Sequence, residues 1–124
     1  MNSFIILIQN SGLGIGTTPA ALISHGIHTT LVEIDPVVVD FAQKYFSLPE
    51  PQETIIDDAV SVASNFAAQG KKFNYIVHDV FTGGAEPVEL FTYEFLKDLH
   101  DILEPGGVIA IVRSIVLEVL RFLY

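Results

Sequence analysis

At 124 residues the chain has room for one domain around one core, and a mean hydropathy of +0.48 supplies the apolar material for it. No apolar run approaches the ~20 residues of a membrane helix, no basic stretch precedes the first apolar run as in a secretory signal, and no cysteine offers a disulfide or a thiol nucleophile. A formal net charge of -9, from 15 acidic and 6 basic residues, repels phosphate backbones and attracts small cations. A cytoplasmic location with no membrane and no nucleic-acid partner is the expectation.

Phe4 to Ile8 is an unbroken apolar, β-branched run, as in a strand covered on both faces. A glycine turn follows at Gly12-Leu13-Gly14-Ile15-Gly16. Thr17 or Thr18 then caps a helix that has Pro19 in its first turn and closes at Gly26. The second strand is Thr29 to Glu33. Asp35 caps the next helix, with Pro36 at its first position and an apolar face read from Val37, Val38, Phe41, Ala42 and Tyr45. Pro49 and Pro51 end it. Glu53 to Ile56 makes a third strand, leading through Asp57 and Asp58 into a small-residue helix, Ala59 to Ala68, closed by Gly70.

The fourth strand, Phe73 to Asp79, again ends on a carboxylate. After a loop from Val80 to Pro87, the spacing predicts one helix over 88–103 with Leu90, Phe91, Phe95, Leu99 and Ile102 as its core stripe. Glu104 to Gly107 reads as a tight turn and Val108 to Val112 as the fifth strand. Ser114, Glu118 and Arg121 recur at helical spacing in an otherwise apolar tail, which predicts an amphipathic helix over 113–124.

Strand and helix alternating five times imply a single α/β domain over 1–124, a doubly wound, Rossmann-like parallel sheet ordered 3-2-1-4-5. The ligand site is then at the carboxyl ends of the strands, where the glycine turn, Glu33, Asp57, Asp58 and Asp79 gather. Gly12, Gly14 and Gly16 leave no side chain between backbone and ligand, and the G-x-G-x-G spacing favours a nucleoside without a pyrophosphate. Glu33, about 20 residues on, is placed to accept both ribose hydroxyls. Asp58, with the Ala59 N–H beside it, can accept from an adenine amino group or simply cap its helix. Asp79 can hold a substrate amine and take its proton, or anchor the following loop. His78 alternates to the other face of its strand and reads as structural. No metal-ligand set stands out.

These segments resemble class I S-adenosylmethionine-dependent transferases: Gly12 to Gly16, Val32-Glu33-Ile34-Asp35-Pro36, Asp57-Asp58-Ala59, Tyr75 to Asp79, and Leu103-Glu104-Pro105-Gly106-Gly107-Val108. Within that superfamily the chain is most similar to the spermidine/spermine synthases. The resemblance implies decarboxylated S-adenosylmethionine or S-adenosylmethionine as co-substrate, with Gly12, Gly14, Gly16, Glu33, Asp58 and Ala59 around the nucleoside. It also implies Asp79 as base and a polyamine as acceptor. Two amine-recognising aspartates of the synthases are replaced, by Ile15 and Thr82. Strands six and seven of the superfamily have no sequence to form them, so the fifth strand is expected to remain an open edge that favours self-association or a partner domain. A methyltransferase and a catalytically silent nucleoside-binding or interaction domain are the alternatives.

Overall fold

Among the described residues six strands form one sheet in the order β3-β2-β1-β4-β5-β6. The strands are β1 (Ser3–Gln9), β2 (His28–Glu33), β3 (Glu53–Ile56), β4 (Phe73–Val80), β5 (Leu103–Arg113) and β6 (Val116–Arg121). The helices are α1 (Thr17–Ser24), α2 (Pro36–Tyr45), α3 (Ala59–Gln69) and α4 (Tyr93–Asp101). This computed structural model describes residues 3–9, 17–80, 88–113 and 116–121. The first five strands are parallel and stand in the order expected from sequence.

Each crossover helix covers the sheet because successive strand residues point to opposite faces. Ile5, Val32, Ile76, Ile109 and Ile111 meet Val62, Ala63 and Phe66 of α3 and Phe95 and Leu99 of α4 in the larger core. On the other face Leu31 packs with Val39, Ala42 and Leu48, and Ala20, Leu22, Ile23 and Val77 close around them. A side chain such as Phe95 or Leu99, 1% and 0% exposed, contributes about 1.5–3 kcal/mol by leaving water.

The caps follow the sequence closely. Asp35 Oδ1 accepts from the Val37 N–H at 2.9 Å at the start of α2. Gly70 ends α3 at a left-handed φ of 69°, a conformation that glycine alone adopts without strain.

Four local expectations are corrected. Of the face read from sequence, Ala42 is buried and Val38 half-buried, but Val37, Phe41 and Tyr45 face outward, and Val39, outside that reading, is buried. So many α2 positions are apolar that periodicity alone misplaces the centre of the buried face. The single helix expected over 88–103 is a short 3-10 turn, Val88–Phe91, followed by α4. Thr92 breaks it by turning extended and accepting the Phe95 N–H at 3.2 Å. Glu104 to Gly107 is an excursion within β5 rather than a turn before it. Phe73 pairs with Leu103 and Tyr75 already with Val108, so β5 has extra residues against β4.

Finally, the tail is not an amphipathic helix. Val116–Arg121 is a strand, antiparallel to β5, with Val112 opposite Leu117 and Ala110 opposite Val119. The backbone donors and acceptors along β5 require partners, and a nearby β-branched segment supplies them at less cost than leaving the edge bare. The expected open edge at β5 is therefore covered, and a sixth strand is present.

Candidate nucleoside-binding rim

The register across the sheet sets the site. Ile56, Glu33, Ile8, Asp79 and Val112 form one row across β3, β2, β1, β4 and β5, all at the carboxyl ends of their strands. Glu33 and Asp79 stand two strands apart, about 10 Å between Cα atoms at normal strand spacing. The end of β1 lies between them, and the glycine turn leaves from it in sequence. Gly12, Gly14 and Gly16, with Ile15, lie outside the described residues, as does Thr82; for Asp79 the backbone position in β4 is described.

Glu33 is the most informative residue of the row. It closes β2 and is 1% exposed, an extreme position for a carboxylate. Its Oε1 accepts the Asp35 N–H at 3.1 Å. Its Oε2 is buried with no hydrogen-bond partner among the described residues. Burial pushes its pKa up, against the lowering effect of the Asp35 and Ile34 N–H groups, and the nearby Asp35 charge adds to the rise. A buried acceptor left without a donor carries a desolvation cost of roughly 1–3 kcal/mol. That cost is removed if a ligand hydroxyl donates to it.

Beside it, the Asp57 N–H donates to the Glu33 carbonyl at 3.1 Å, which ties the β3–α3 connection to the end of β2. Asp57 Oδ1 accepts the Asp58 N–H at 2.7 Å. Asp58 caps α3: Oδ1 accepts from Val60 N–H at 3.3 Å and Oδ2 from Ser61 N–H at 3.2 Å. Ala59, the first residue of that helix, is 2% exposed. Capping occupies part of the Asp58 carboxylate, and an adenine amino group would share it with the helix.

The two roles are separable. Asp58→Ala is expected to lower stability by about 1 kcal/mol, whereas Asp58→Ser, which keeps a capping oxygen, is expected to lower it by only a few tenths. If Asp58 also contacts the ligand, both variants lose donor affinity in a calorimetric titration. Unchanged affinity in the serine variant would leave Asp58 with capping alone.

His78, which sequence alternation assigns a structural place, is 1% exposed. Its ring lies 5.5 Å from Phe91, edge-on, and 5.3 Å from Phe95 between centroids. Neither ring nitrogen has a hydrogen-bond partner among the described residues. Burial lowers its pKa to about 4, opposed by the backbone at His78 and Leu90. The imidazole is therefore neutral at physiological pH. No group of three or more metal-ligating side chains converges among the described residues, and no described helix is long and apolar enough to cross a membrane.

Comparison with known proteins places this geometry. Residues 12–121 match the family described as spermine/spermidine synthase domain. An N-terminal histidine N-methyltransferase of Emericella nidulans is 66% identical over 102 residues, covering 81% of this chain and 18% of that protein. A polyamine aminopropyltransferase of Vibrio vulnificus is 35% identical over 102 residues, covering 79% of this chain and 34% of that protein. The chain thus spans between about a fifth and a third of these relatives. The structure of human methyltransferase-like protein 13 in complex with SAH shares the fold, with a TM-score of 0.73 at 23% identity over 89% of this chain and 54% of that one. The chain belongs to the spermine/spermidine synthase domain family, built on the Rossmann-like fold of class I S-adenosylmethionine-dependent methyltransferases.

Proposed function

We propose that this chain is the nucleoside-binding part of a transferase that alkylates an amine nitrogen, and that the group transferred is the methyl of S-adenosylmethionine. The observation that carries the binding reading is the buried Oε2 of Glu33, without a partner among the described residues, in line with the end of β1. A carboxylate so placed accepts two vicinal hydroxyls, and a ribose offers them. The residues present therefore fit S-adenosylmethionine or its decarboxylated form as co-substrate. When bound, either supplies an electrophilic carbon on a sulfonium centre. Glu33 fixes the ribose, Asp57 and Asp58 border the adenine side, and Asp79 orients the amine at the end of β4. In the transfer the nitrogen lone pair forms the new C–N bond while the C–S bond breaks, and the proton lost from nitrogen passes to the Asp79 carboxylate.

Two considerations support methyl transfer over aminopropyl transfer. The relative at 66% identity is a methyltransferase of an amino-terminal histidine. Ile15 and Thr82 replace carboxylates that the synthases use toward amines, so a dicationic polyamine meets fewer counter-charges here. Aminopropyl transfer is the second reading, supported by the family match and the 35% identical aminopropyltransferase.

Calorimetric titration of the chain with S-adenosylmethionine and its decarboxylated form tests the donor. Incubation with a peptide beginning in histidine, or with putrescine, followed by mass spectrometry tests the acceptor. Tighter binding of S-adenosylmethionine and a methylated peptide are expected. Preference for the decarboxylated donor with alkylated putrescine would establish the second reading, and binding of neither donor would leave a silent interaction domain.

A further inference from the structure

Beside the end of β4 stand two bare apolar side chains that neither the core nor the nucleoside uses. Val88 is 78% exposed and Tyr93 75%, more than any other large apolar residue among those described. Their place follows from the crossover. α4 ends at the start of β4, where the Lys72 ammonium donates to the Asp101 carbonyl at 2.6 Å and the Phe73 N–H to the Ile102 carbonyl at 2.7 Å. From there the helix points back toward the carboxyl end of β4. His78 fixes how far it reaches, because its ring packs against both Phe91 and Phe95. His78 is one residue before Asp79, so Val88 and Tyr93, three and two residues before those phenylalanines, flank the acceptor side of the rim.

The charges next to them name the occupant. Glu89 follows Val88 and Glu94 follows Tyr93, and both are exposed. Neither is in an ion pair among the described residues, and Lys97, the lysine of α4, pairs with Asp101 instead. A glutamate in the first turn suits the dipole of α4 by itself. The helix gains nothing, however, from a valine and a tyrosine held in water. An exposed aromatic ring with carboxylates around it is suited to a segment that carries both apolar and cationic side chains. The formal net charge of -9 attracts such a segment from a distance. A polypeptide whose terminal amine reaches the end of β4 has further residues to place, and this surface adjoins their path.

We propose that Val88, Glu89, Tyr93 and Glu94 form a docking surface for the acceptor, a polypeptide with a basic, partly apolar segment just after its reacting amino terminus. The proposal rests on the amine-transfer reading above and adds to it where the acceptor is held outside the reacting centre. Val88 and Tyr93 cover the apolar side chains, and Glu89 and Glu94 meet the cationic ones. Contacts made this far from the nitrogen contribute to holding the amine in line with the donor.

Fluorescence anisotropy on the 124-residue chain tests this, with a peptide that begins in histidine, continues in alternating lysine and leucine, and is labelled at its carboxyl end. The wild type is expected to bind it, and to bind roughly tenfold less tightly the same peptide with glutamate for each lysine. Tyr93→Ser, and separately Glu89→Lys/Glu94→Lys, are each expected to weaken binding of the lysine peptide roughly tenfold with unchanged circular dichroism. A wild type that does not bind the lysine peptide, or variants that bind it as the wild type does, overturns the proposal, even where the donor binds and a histidine amide is methylated. Docking that depends on Tyr93, Glu89 and Glu94 while neither donor binds overturns the transferase reading and leaves the docking surface standing.

Discussion

Glu33→Gln is expected to stabilise the ligand-free protein and to weaken donor binding by roughly 100-fold, two effects of opposite sign from one atom exchange. The glutamine carbonyl keeps the Asp35 N–H bond that Oε1 now accepts. What is removed is a buried ionisable group. Because burial holds the Glu33 pKa above its ordinary value, ionising it opposes folding. Its unfavourable contribution grows as pH rises through the folded-state pKa and fades below the unfolded one. The amide carries no such penalty, so the thermal midpoint of the variant should exceed that of the wild type at pH 7. Binding suffers because Oε2, which has no partner among the described residues, becomes an NH2 group, which cannot accept a hydroxyl proton. Thermal unfolding and calorimetric titration of the same preparation read both effects. Wild-type affinity in this variant would remove Glu33 from the ribose, and a lowered midpoint would show that the charge is stabilised by something other than a ligand.

Acid should unfold this protein through His78. The ring is enclosed by Phe91 and Phe95, and its folded pKa is about 4 against 6.5 for a free imidazole. Between those values the unfolded chain takes up a proton that the folded chain refuses. Stability conferred by the neutral ring is complete above pH 6.5 and lost as pH falls toward 4, to a total of about 3 kcal/mol. Glu33 acts in the opposite direction, gaining stability on protonation, so wild-type curves alone mix the two. The difference between wild type and His78→Leu isolates the imidazole. Chemical denaturation at pH 7 and at pH 4.5 should show a much smaller loss in the variant. Equal losses would mean that His78 finds a proton acceptor when charged.

The caps and the strand order were legible because each rests on local chemistry. Asp35 before Pro36 caps α2 as expected, and Asp58 before Ala59 makes the cap that its sequence position left open beside an adenine contact. Glu33 was singled out by its distance to the glycine turn, and the fold adds its burial and an Oε2 with no partner among the described residues. The misreadings share one cause. Val116 to Arg121 has apolar residues at positions that satisfy a helix and a strand alike, and the deciding fact was the unpaired backbone of β5, which lies outside the segment. Likewise the buried side of α2 was chosen by Leu31 and Leu48 across from it, not by the helix's own pattern. At Thr92 the signal was available: a threonine three residues before Phe95 marks a cap even inside an apolar rhythm.

The β5–β6 hairpin also bears on how the chain reaches this structure. Each of the parallel pairings joins strands separated by a crossover helix or by a longer stretch of chain, so each requires a costly loop closure before its contacts form. Only two residues separate β5 from β6 in sequence. Hairpins of this kind close within about 1–10 microseconds. The pair can therefore form without help from the rest of the molecule and present a paired, oriented β5 to β4. The long-range search, and with it the exposure to misfolding, falls on the strands that build the rim.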